Sequence, residues 1–380
     1  MTLLFLLLVP MLIGLAGLLF GKGKISWKEF LLQEGILLLV VGVGYAIALS
    51  NRSDDTEHWN GVIASKEVKN VTCCHDYCCV WGTCCTSAGK TRTCSPCCKM
   101  HCKRHGHDLN WSAVTSNKET VFDDGCNSPG SSPPARWTAI NVGEPSSVEH
   151  SYTNYVKGNP DSILRRTGVA EKWASMLPAY PKVYDLYRAD KLIAVGWGGG
   201  LPGADLKALN FKLAELNGKL GASKGVNINI IVAKTNDAGY AEAVSEHWLL
   251  GKKNDVTVVV GASDLPRVSW VKVLSWSRSE EMKISIRDRV LSLGVLDPKR
   301  TIEIAGEEVG GKYVRRAWED FDYLKSTIEP SDYAQRWLFS IGFVMSLGLW
   351  FLFHRRDVFG DEQQIAQRRA ASRSTNRQVN

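Results

Sequence analysis

The segment DVTVVVG, Asp255–Gly261, is an almost uninterrupted run of apolar residues, the pattern of a strand buried on both faces of a sheet. Upstream, VNINIIVA, Val226–Ala233, predicts a second strand of the same kind. Between them, AGYAEAVSEHWLLG, Ala238–Gly251, predicts a helix with one apolar face that ends at its glycine. Strands that alternate with helices predict an α/β layered domain, which we place at residues 181–330.

Further elements extend this pattern on both sides. Five leucines at spacings of three and four, from Leu206 to Leu220, predict a helix whose apolar stripe packs on the core. RVSWVKVLSW, Arg267–Trp276, alternates apolar and polar residues and predicts a strand near an edge of the sheet. The other predicted elements are strands at Val183–Tyr187 and Leu192–Gly196 and helices at Glu280–Leu293 and Glu308–Ile328.

Three long apolar blocks, Leu3–Phe20, Phe30–Leu49 and Trp337–Phe353, each approach the length of a membrane-spanning helix. A cleaved signal peptide is the alternative for the first block, which lacks a basic amino-terminal region and a small-residue cleavage site. A buried core helix is the alternative for the third block. That block is flanked by arginines and carries Trp337 and Trp350, as membrane spans do. The sequence therefore predicts three transmembrane helices.

Charged residues around the spans predict their orientation. The loop after the first span has Lys22, Lys24 and Lys28 against Glu29, and the tail after the third span is rich in arginine. Because basic loops stay in the cytoplasm, we expect a multi-pass protein of the inner or plasma membrane, with the amino terminus and residues 50–336 outside and the carboxyl terminus inside. The predicted organisation is two spans over 1–50, a Cys/His-rich subdomain over 51–127, a loop and strand connector over 128–180, the α/β domain over 181–330, the third span at 337–353 and a basic cytoplasmic tail over 354–380.

The stretch CCHDYCCVWGTCCTSAGKTRTCSPCCKMHC, Cys73–Cys102, holds ten of the eleven cysteines. It has few large apolar residues, so we expect crosslinks rather than a core to hold it. Disulfides suit an oxidising exterior, zinc suits the Cys and His spacings, and a reactive thiol is a third alternative. These alternatives remain open, with zinc as the only candidate cofactor. The candidate zinc ligands are Cys74, Cys78, Cys94, Cys97, His101, Cys102 and His105.

The run LKALNFKLAELNGKLGASKGVNINIIV followed by YAEAVSEHWLLGKKNDVTVVVG resembles the TPM domain, over residues of about 200–296. The helix with a tryptophan near its end, the turn Leu250–Asp255 and the apolar strand carry the resemblance. The glycine-rich motif that follows in that family is replaced here by SWSRSEEMK, Ser275–Lys283. The resemblance implies a TPM-like sheet with helices, tethered to a membrane and facing its exterior. The whole arrangement also resembles uncharacterised three-span membrane proteins of tailed phages and bacteria.

The chain shows no G-x-S-x-G, H-E-x-x-H, P-loop or kinase motif. We therefore expect a binding or scaffolding protein of the cell envelope, with the lipid bilayer and another envelope protein as partners. If a phage encodes the protein, we expect it to act at the envelope of the host. The net charge of +7 is partly a consequence of topology, and no basic stripe interleaved with aromatics predicts nucleic-acid binding.

A metal-dependent phosphatase is the alternative function, since some TPM proteins are described as phosphatases. Asp237, Asp255 and Asp264 are its candidate catalytic carboxylates, because they lie at or near the ends of predicted strands. The simpler interpretation is that Asp255 caps a turn and Asp237 caps a helix. A transporter is a third interpretation, prompted by Glu34 inside an apolar block, although this residue is close enough to the cytoplasmic end to reach the interface.

Overall fold

A computed structural model of the chain describes residues 2–20, 25–71, 77–88, 91–102, 108–125, 132–159, 168–198, 200–355 and 358. The described helices are α1 Thr2–Phe20, α2 Trp27–Ser53, α3 Ala135–Ala139, α4 Tyr155–Gly158, α5 Leu206–Lys224, α6 Gly239–His247, α7 Glu280–Ser292, α8 Pro298–Lys312 and α9 Asp332–Arg355, with 3₁₀ helices at Ala170–Trp173 and Trp318–Thr327. The described strands are β1 Asp54–Val71, β2 Tyr77–Ala88, β3 Thr91–Cys102, β4 Asp108–Thr115, β5 Thr120–Asp123, β6 Pro145–Thr153, β7 Leu192–Val195, β8 Asn227–Ala233, β9 Asp255–Gly261 and β10 Trp270–Ser275. The chain divides into two compact units: unit 1 is Met1–Asp55, Tyr152–Ser162 and Phe321–Asn380, and unit 2 is Thr56–Ser151 and Ile163–Asp320.

Unit 1 contains the three long apolar helices, α1, α2 and α9, which contact one another. Each is long and apolar enough to cross a membrane, as predicted. Ser26 begins α2 with a capping box that it shares with Glu29. Polar groups also join the helices, since Gln33 Nε2 donates to Ser346 Oγ at 2.9 Å and Ser346 Oγ donates to the carbonyl of Pro10 at 2.7 Å. The orientation of the helices stays a prediction.

Unit 2 is built on a four-stranded sheet of order β10-β9-β8-β7. Strands β7, β8 and β9 are parallel, and β10 is an antiparallel edge strand, as its alternating sequence predicts. Alternate residues of β8 enter two cores: Ile228 and Ile230 pack with α5, α7 and α8, whereas Ile231 packs with α6 on the other face. The predicted α/β layering is therefore present, with helices on both faces of the sheet.

A second sheet of unit 2 has the order β5-β4-β1-β6. Its small core contains Ile63, Ala113 and Val121, together with Tyr187 from the segment before β7. Within the cysteine-rich stretch, Tyr77–Ala88 and Thr91–Cys102 pair as the antiparallel β2–β3 hairpin, a two-stranded sheet of its own.

Two of the predicted elements are wrong. The strand expected at Val183–Tyr187 is a turn with one isolated bridge, because Asp185 and Leu186 adopt positive φ values of 48° and 75°, which no strand accommodates. The helix expected over 308–328 begins earlier and ends at Lys312, and a 3₁₀ helix follows only from Trp318.

Candidate functional site

A cleft of about 780 Å³ opens in unit 2, within the size range of ligand pockets. The start of β6, the segment Tyr184–Lys191 before β7 and the first three turns of α5 line it. Asp205 fixes the start of α5 by accepting hydrogen bonds from two backbone N–H groups of its first turn. The cleft is therefore bordered by two regular elements and a turn whose conformation is constrained.

Asn210 of α5 holds the chain where it enters β7. Its Oδ1 accepts hydrogen bonds from the backbone N–H groups of Lys191 and Leu192, both at 2.8 Å, and its Nδ2 donates to the carbonyl of Leu192 at 3.1 Å. The backbone carbonyl of Lys191 in turn accepts from the N–H of Ile230 in β8 at 2.8 Å. The backbone of Lys191 is thus held from the helix and from the sheet.

Among the buried polar residues that line the cleft, Asn60, Ser147 and Lys191 hydrogen-bond to one another and form its floor. Lys191 Nζ donates to Ser147 Oγ at 2.9 Å and to Asn60 Oδ1, and Ser147 Oγ donates to Asn60 Oδ1 at 3.0 Å. Lys191 is only 3% exposed. Burial lowers the pKa of this amine to about 7, because the charged form loses hydration, an effect that Asp255 partly opposes.

The orientation of the Asn60 amide follows from its other partners. Its Nδ2 donates to the carbonyl of Val226 and to Asn227 Oδ1, each at 3.0 Å. With the amide nitrogen used in this way, the oxygen faces the hydroxyl and the amine. We call Asn60, Ser147 and Lys191 the floor triad.

Behind the floor triad lies the carboxyl group of Asp255, which is 1% exposed. It accepts hydrogen bonds from Asn227 Nδ2 at 2.8 Å, from Tyr180 Oη at 3.0 Å and from the backbone N–H of Lys252 at 2.8 Å. Burial raises the pKa of Asp255 to about 6, although these donors oppose the shift. Asn227 therefore connects Asp255 to Asn60 through a continuous chain of hydrogen bonds.

The neighbouring end of β1 adds further buried charge. Glu57 is fully buried and accepts hydrogen bonds from Arg315 at 3.0 and 3.2 Å and from Trp59 Nε1 at 2.8 Å. Next to it, burial lowers the pKa of His58 to about 2, with the positive charge of Lys191 contributing, so the imidazole is neutral at physiological pH. The amino ends of β8 and β9 thus lie in a dry, polar region where electrostatic interactions are strong.

The structure separates the three predicted catalytic carboxylates along the sheet. Asp237 and Asp264 are exposed and follow the carboxyl ends of β8 and β9. Asp237 pairs with Lys172 at 2.6 Å, and Asp264 accepts from Ser263 Oγ at 2.9 Å. Asp255 begins β9 instead, at the opposite end of a seven-residue strand, which is a distance of about 20 Å. The arrangement therefore gives no support to one metal centre that uses all three.

In the cysteine-rich hairpin, Cys84 and Cys97 lie at disulfide distance, with Cα atoms 5.6 Å apart. This contact favours the disulfide alternative, and Cys97 was one of the predicted zinc ligands. Cys74 and His105 lie outside the described residues, as do the side chains of Cys78, Cys94, His101 and Cys102, whose backbones belong to β2 and β3. Among the described residues, no group of three His, Cys, Asp or Glu side chains is placed to hold a metal ion.

No motif in the sequence marks the floor triad as a site. Lys191 reads as part of a polar turn, RADK, and Ser147 and Asn60 belong to segments without a catalytic motif. The sequence gives one signal that the region is polar, which is Asp255, a charged residue at the start of an otherwise apolar strand.

Comparison of the chain with protein-family models, with curated proteins and with solved structures finds no match.

Proposed function

We propose that the protein is a membrane-tethered binding protein of the cell envelope, and that the cleft of unit 2 takes its ligand outside the cytoplasm. The observation that carries this proposal is the cleft itself, which combines ligand-pocket size with a floor of buried, hydrogen-bonded polar groups. Pockets of this kind use few polar groups at their base to orient a ligand and more apolar walls to hold it.

The tether is supported by the positions of the apolar helices in the chain. Two precede unit 2 in the chain and one follows it, so most of the residues between the second and third spans belong to unit 2. The basic loops predict that this connection lies outside the cytoplasm. The resemblance to TPM proteins, which are typically tethered in this way, supports the same placement.

The ligand that we propose is an exposed segment of another envelope protein. The rim of the cleft carries the basic residues Arg188 and Lys207 and the acidic residues Glu144 and Asp190. A mixed rim suits a polypeptide, whose amide groups and side chains offer donors and acceptors together. If a phage encodes the protein, the partner belongs to the envelope of the host.

Site-specific photo-crosslinking tests the binding site. A benzoylphenylalanine at Phe211, on the wall of the cleft, should crosslink one envelope protein in the native host membrane. The same group at Ile284 of α7 is the matched control, because the two side chains are 53% and 49% exposed. Equal crosslinking from both positions, or none from Phe211, would contradict the proposal.

Reporter fusions test the topology. Alkaline phosphatase fused after Glu329, before α9, should be active, since it folds only outside the cytoplasm, whereas a fluorescent protein fused after Asn380 should be bright inside. The reverse pattern would place the cleft in the cytoplasm and overturn the proposed location.

A further inference from the structure

The floor triad has the geometry of an activated nucleophile. A serine hydroxyl becomes nucleophilic when a base lies within hydrogen-bond reach and a third group orients that base. Ser147 Oγ lies 2.9 Å from Lys191 Nζ, and Asn60 Oδ1 accepts hydrogen bonds from both. All three residues line the cleft, which places the serine and the amine beside the volume that a bound molecule would occupy.

We propose that Ser147 and Lys191 form a nucleophile–base pair that cleaves an ester or amide bond of a molecule bound in the cleft. This inference rests on the proposed function, since it assigns a substrate class and an activity to the same cleft. Asn60 is a positioning residue that keeps the amine and the hydroxyl together. Serine–lysine pairs perform this chemistry on unrelated folds.

The proposed reaction balances in two steps. Ser147 Oγ attacks the carbonyl carbon while its proton moves to Lys191 Nζ, and the bond to the leaving alcohol or amine breaks as that group takes the proton from Lys191. A water molecule then gives a proton to Lys191 as its oxygen attacks the acyl-serine, the bond to Ser147 Oγ breaks to release the carboxylic acid, and Lys191 returns the proton to Ser147 Oγ. Water is the only co-reactant, and no oxidant or reductant is needed.

The base must be a neutral amine, and its surroundings favour that form. Burial holds the pKa of Lys191 near 7, so a large fraction of the amine is neutral at physiological pH. In that state one N–H still donates to Asn60, while the lone pair accepts the hydroxyl proton of Ser147. Lys191 Nζ lies 2.9 Å and Asn60 Oδ1 lies 3.0 Å from Ser147 Oγ, so the hydroxyl can donate its proton to either atom without a movement of the heavy atoms.

Alternatives elsewhere in unit 2 are weaker. Asp255 is satisfied by three donors and lies behind Asn227 rather than on the cleft lining. The buried Glu57 is paired with Arg315 and Lys253. Neither Asp255 nor Glu57 lines the cleft, whereas Ser147 and Lys191 both do.

Labelling of the full-length protein in detergent micelles with a fluorophosphonate probe tests the pair. An activated serine forms a bond to phosphorus and expels fluoride, so peptide mass spectrometry should find the adduct on Ser147. Ser147→Ala should abolish that adduct, and Lys191→Arg should slow it by about 10²-fold or more, because arginine cannot act as the base. Ser223→Ala, which removes an exposed hydroxyl of α5, is the matched control and should label like the wild type.

The pH dependence of labelling in the wild type is a second test, and it does not depend on whether a variant folds. The rate of adduct formation at Ser147 should rise about tenfold for each pH unit below 7 and level off above it, as the amine loses its proton. Absence of an adduct on folded wild type, or a rate without this pH dependence, would overturn the pair. If Phe211 still crosslinks a partner in that case, the binding function stands and only the activity fails.

Discussion

Replacing Lys191 by methionine should change how the stability of unit 2 depends on pH. The buried amine has a pKa of about 7 in the folded protein, against 10.5 for an exposed lysine. Between these values the unfolded chain binds a proton that the folded chain does not. The free energy of unfolding of the wild type should therefore rise with pH between these two values, because the proton that only the unfolded chain binds stabilises that state less as the proton concentration falls.

The size of the effect follows from the same two values. One pKa unit corresponds to about 1.4 kcal/mol, and the linkage between pH 7.5 and pH 9 covers about 1.5 units. The wild type should thus gain about 2 kcal/mol relative to Lys191→Met over that interval. For a domain of this size, the gain corresponds to a relative increase in Tm of roughly 4–8 °C.

Thermal unfolding of the full-length protein in detergent micelles, followed by tryptophan fluorescence, measures the difference at each pH. Other groups titrate in both proteins, so their contributions cancel in the comparison. Lys207→Met is the control, because this lysine of the cleft rim is exposed to water in the folded protein as well as in the unfolded chain. Parallel curves for the wild type and Lys191→Met would show that the amine is not buried as described, and would remove the basis for its role as a base.

Three further outcomes are expected. Burial raises the pKa of Asp255 to about 6 in the folded protein, whereas this carboxyl ionises near 3.8 in the unfolded chain, so the free energy of unfolding of the wild type should fall by about 2 kcal/mol between pH 4 and pH 6. Asp255→Asn should remove this fall, as melting curves of the two proteins at each pH would show. Gly218→Ala should destabilise unit 2 by about 1–3 kcal/mol, since its Cβ would lie 2.8 Å from a backbone oxygen, whereas Gly311→Ala meets open space and should stabilise slightly. Peptide mapping without reductant should recover Cys84 linked to Cys97, and separate peptides would contradict the pairing.

Sequence patterns predicted the parts of the fold that bury apolar residues with a regular period. The runs that became β8 and β9 are buried along their whole length, so their composition alone identified them. The three apolar blocks likewise became helices of membrane-spanning length. In each case a continuous apolar segment of the sequence was enough to identify the element.

Helix boundaries near the end of unit 2 were harder to predict. Apolar residues at helical spacing suggested one helix over 308–328, yet the helix begins at Pro298, where Asp297 accepts a hydrogen bond from the N–H of Arg300 at 2.9 Å. This capping signal is present in the sequence. Apolar spacing outweighed it in the prediction because periodicity does not distinguish an α-helix from an irregular segment followed by 3₁₀ turns.

The floor triad could not be predicted because its members come from distant parts of the chain. Asn60 precedes Lys191 by 131 residues, and Ser147 precedes it by 44. A lysine in a polar turn usually lies in solvent. Only the tertiary packing of β1 and β6 against the start of β7 converts this one into a buried amine.

Close packing between β1 and α5 brings a polar side chain of the second sheet to Lys191, which directly precedes β7, whereas sites of α/β sheets usually lie at the carboxyl ends of the strands. Gly218 and Gly221 leave the helix without side chains where the backbone of β1 passes, and a Cβ at Gly221 would collide with the carbonyl of Asn60. This approach delivers the Asn60 amide to Lys191. The second sheet therefore supplies Asn60 and Ser147 of the floor triad, and the residue that directly precedes β7 supplies Lys191. Any substitution that separates β1 from α5 should disrupt the stability of unit 2 and the reactivity of Ser147 together.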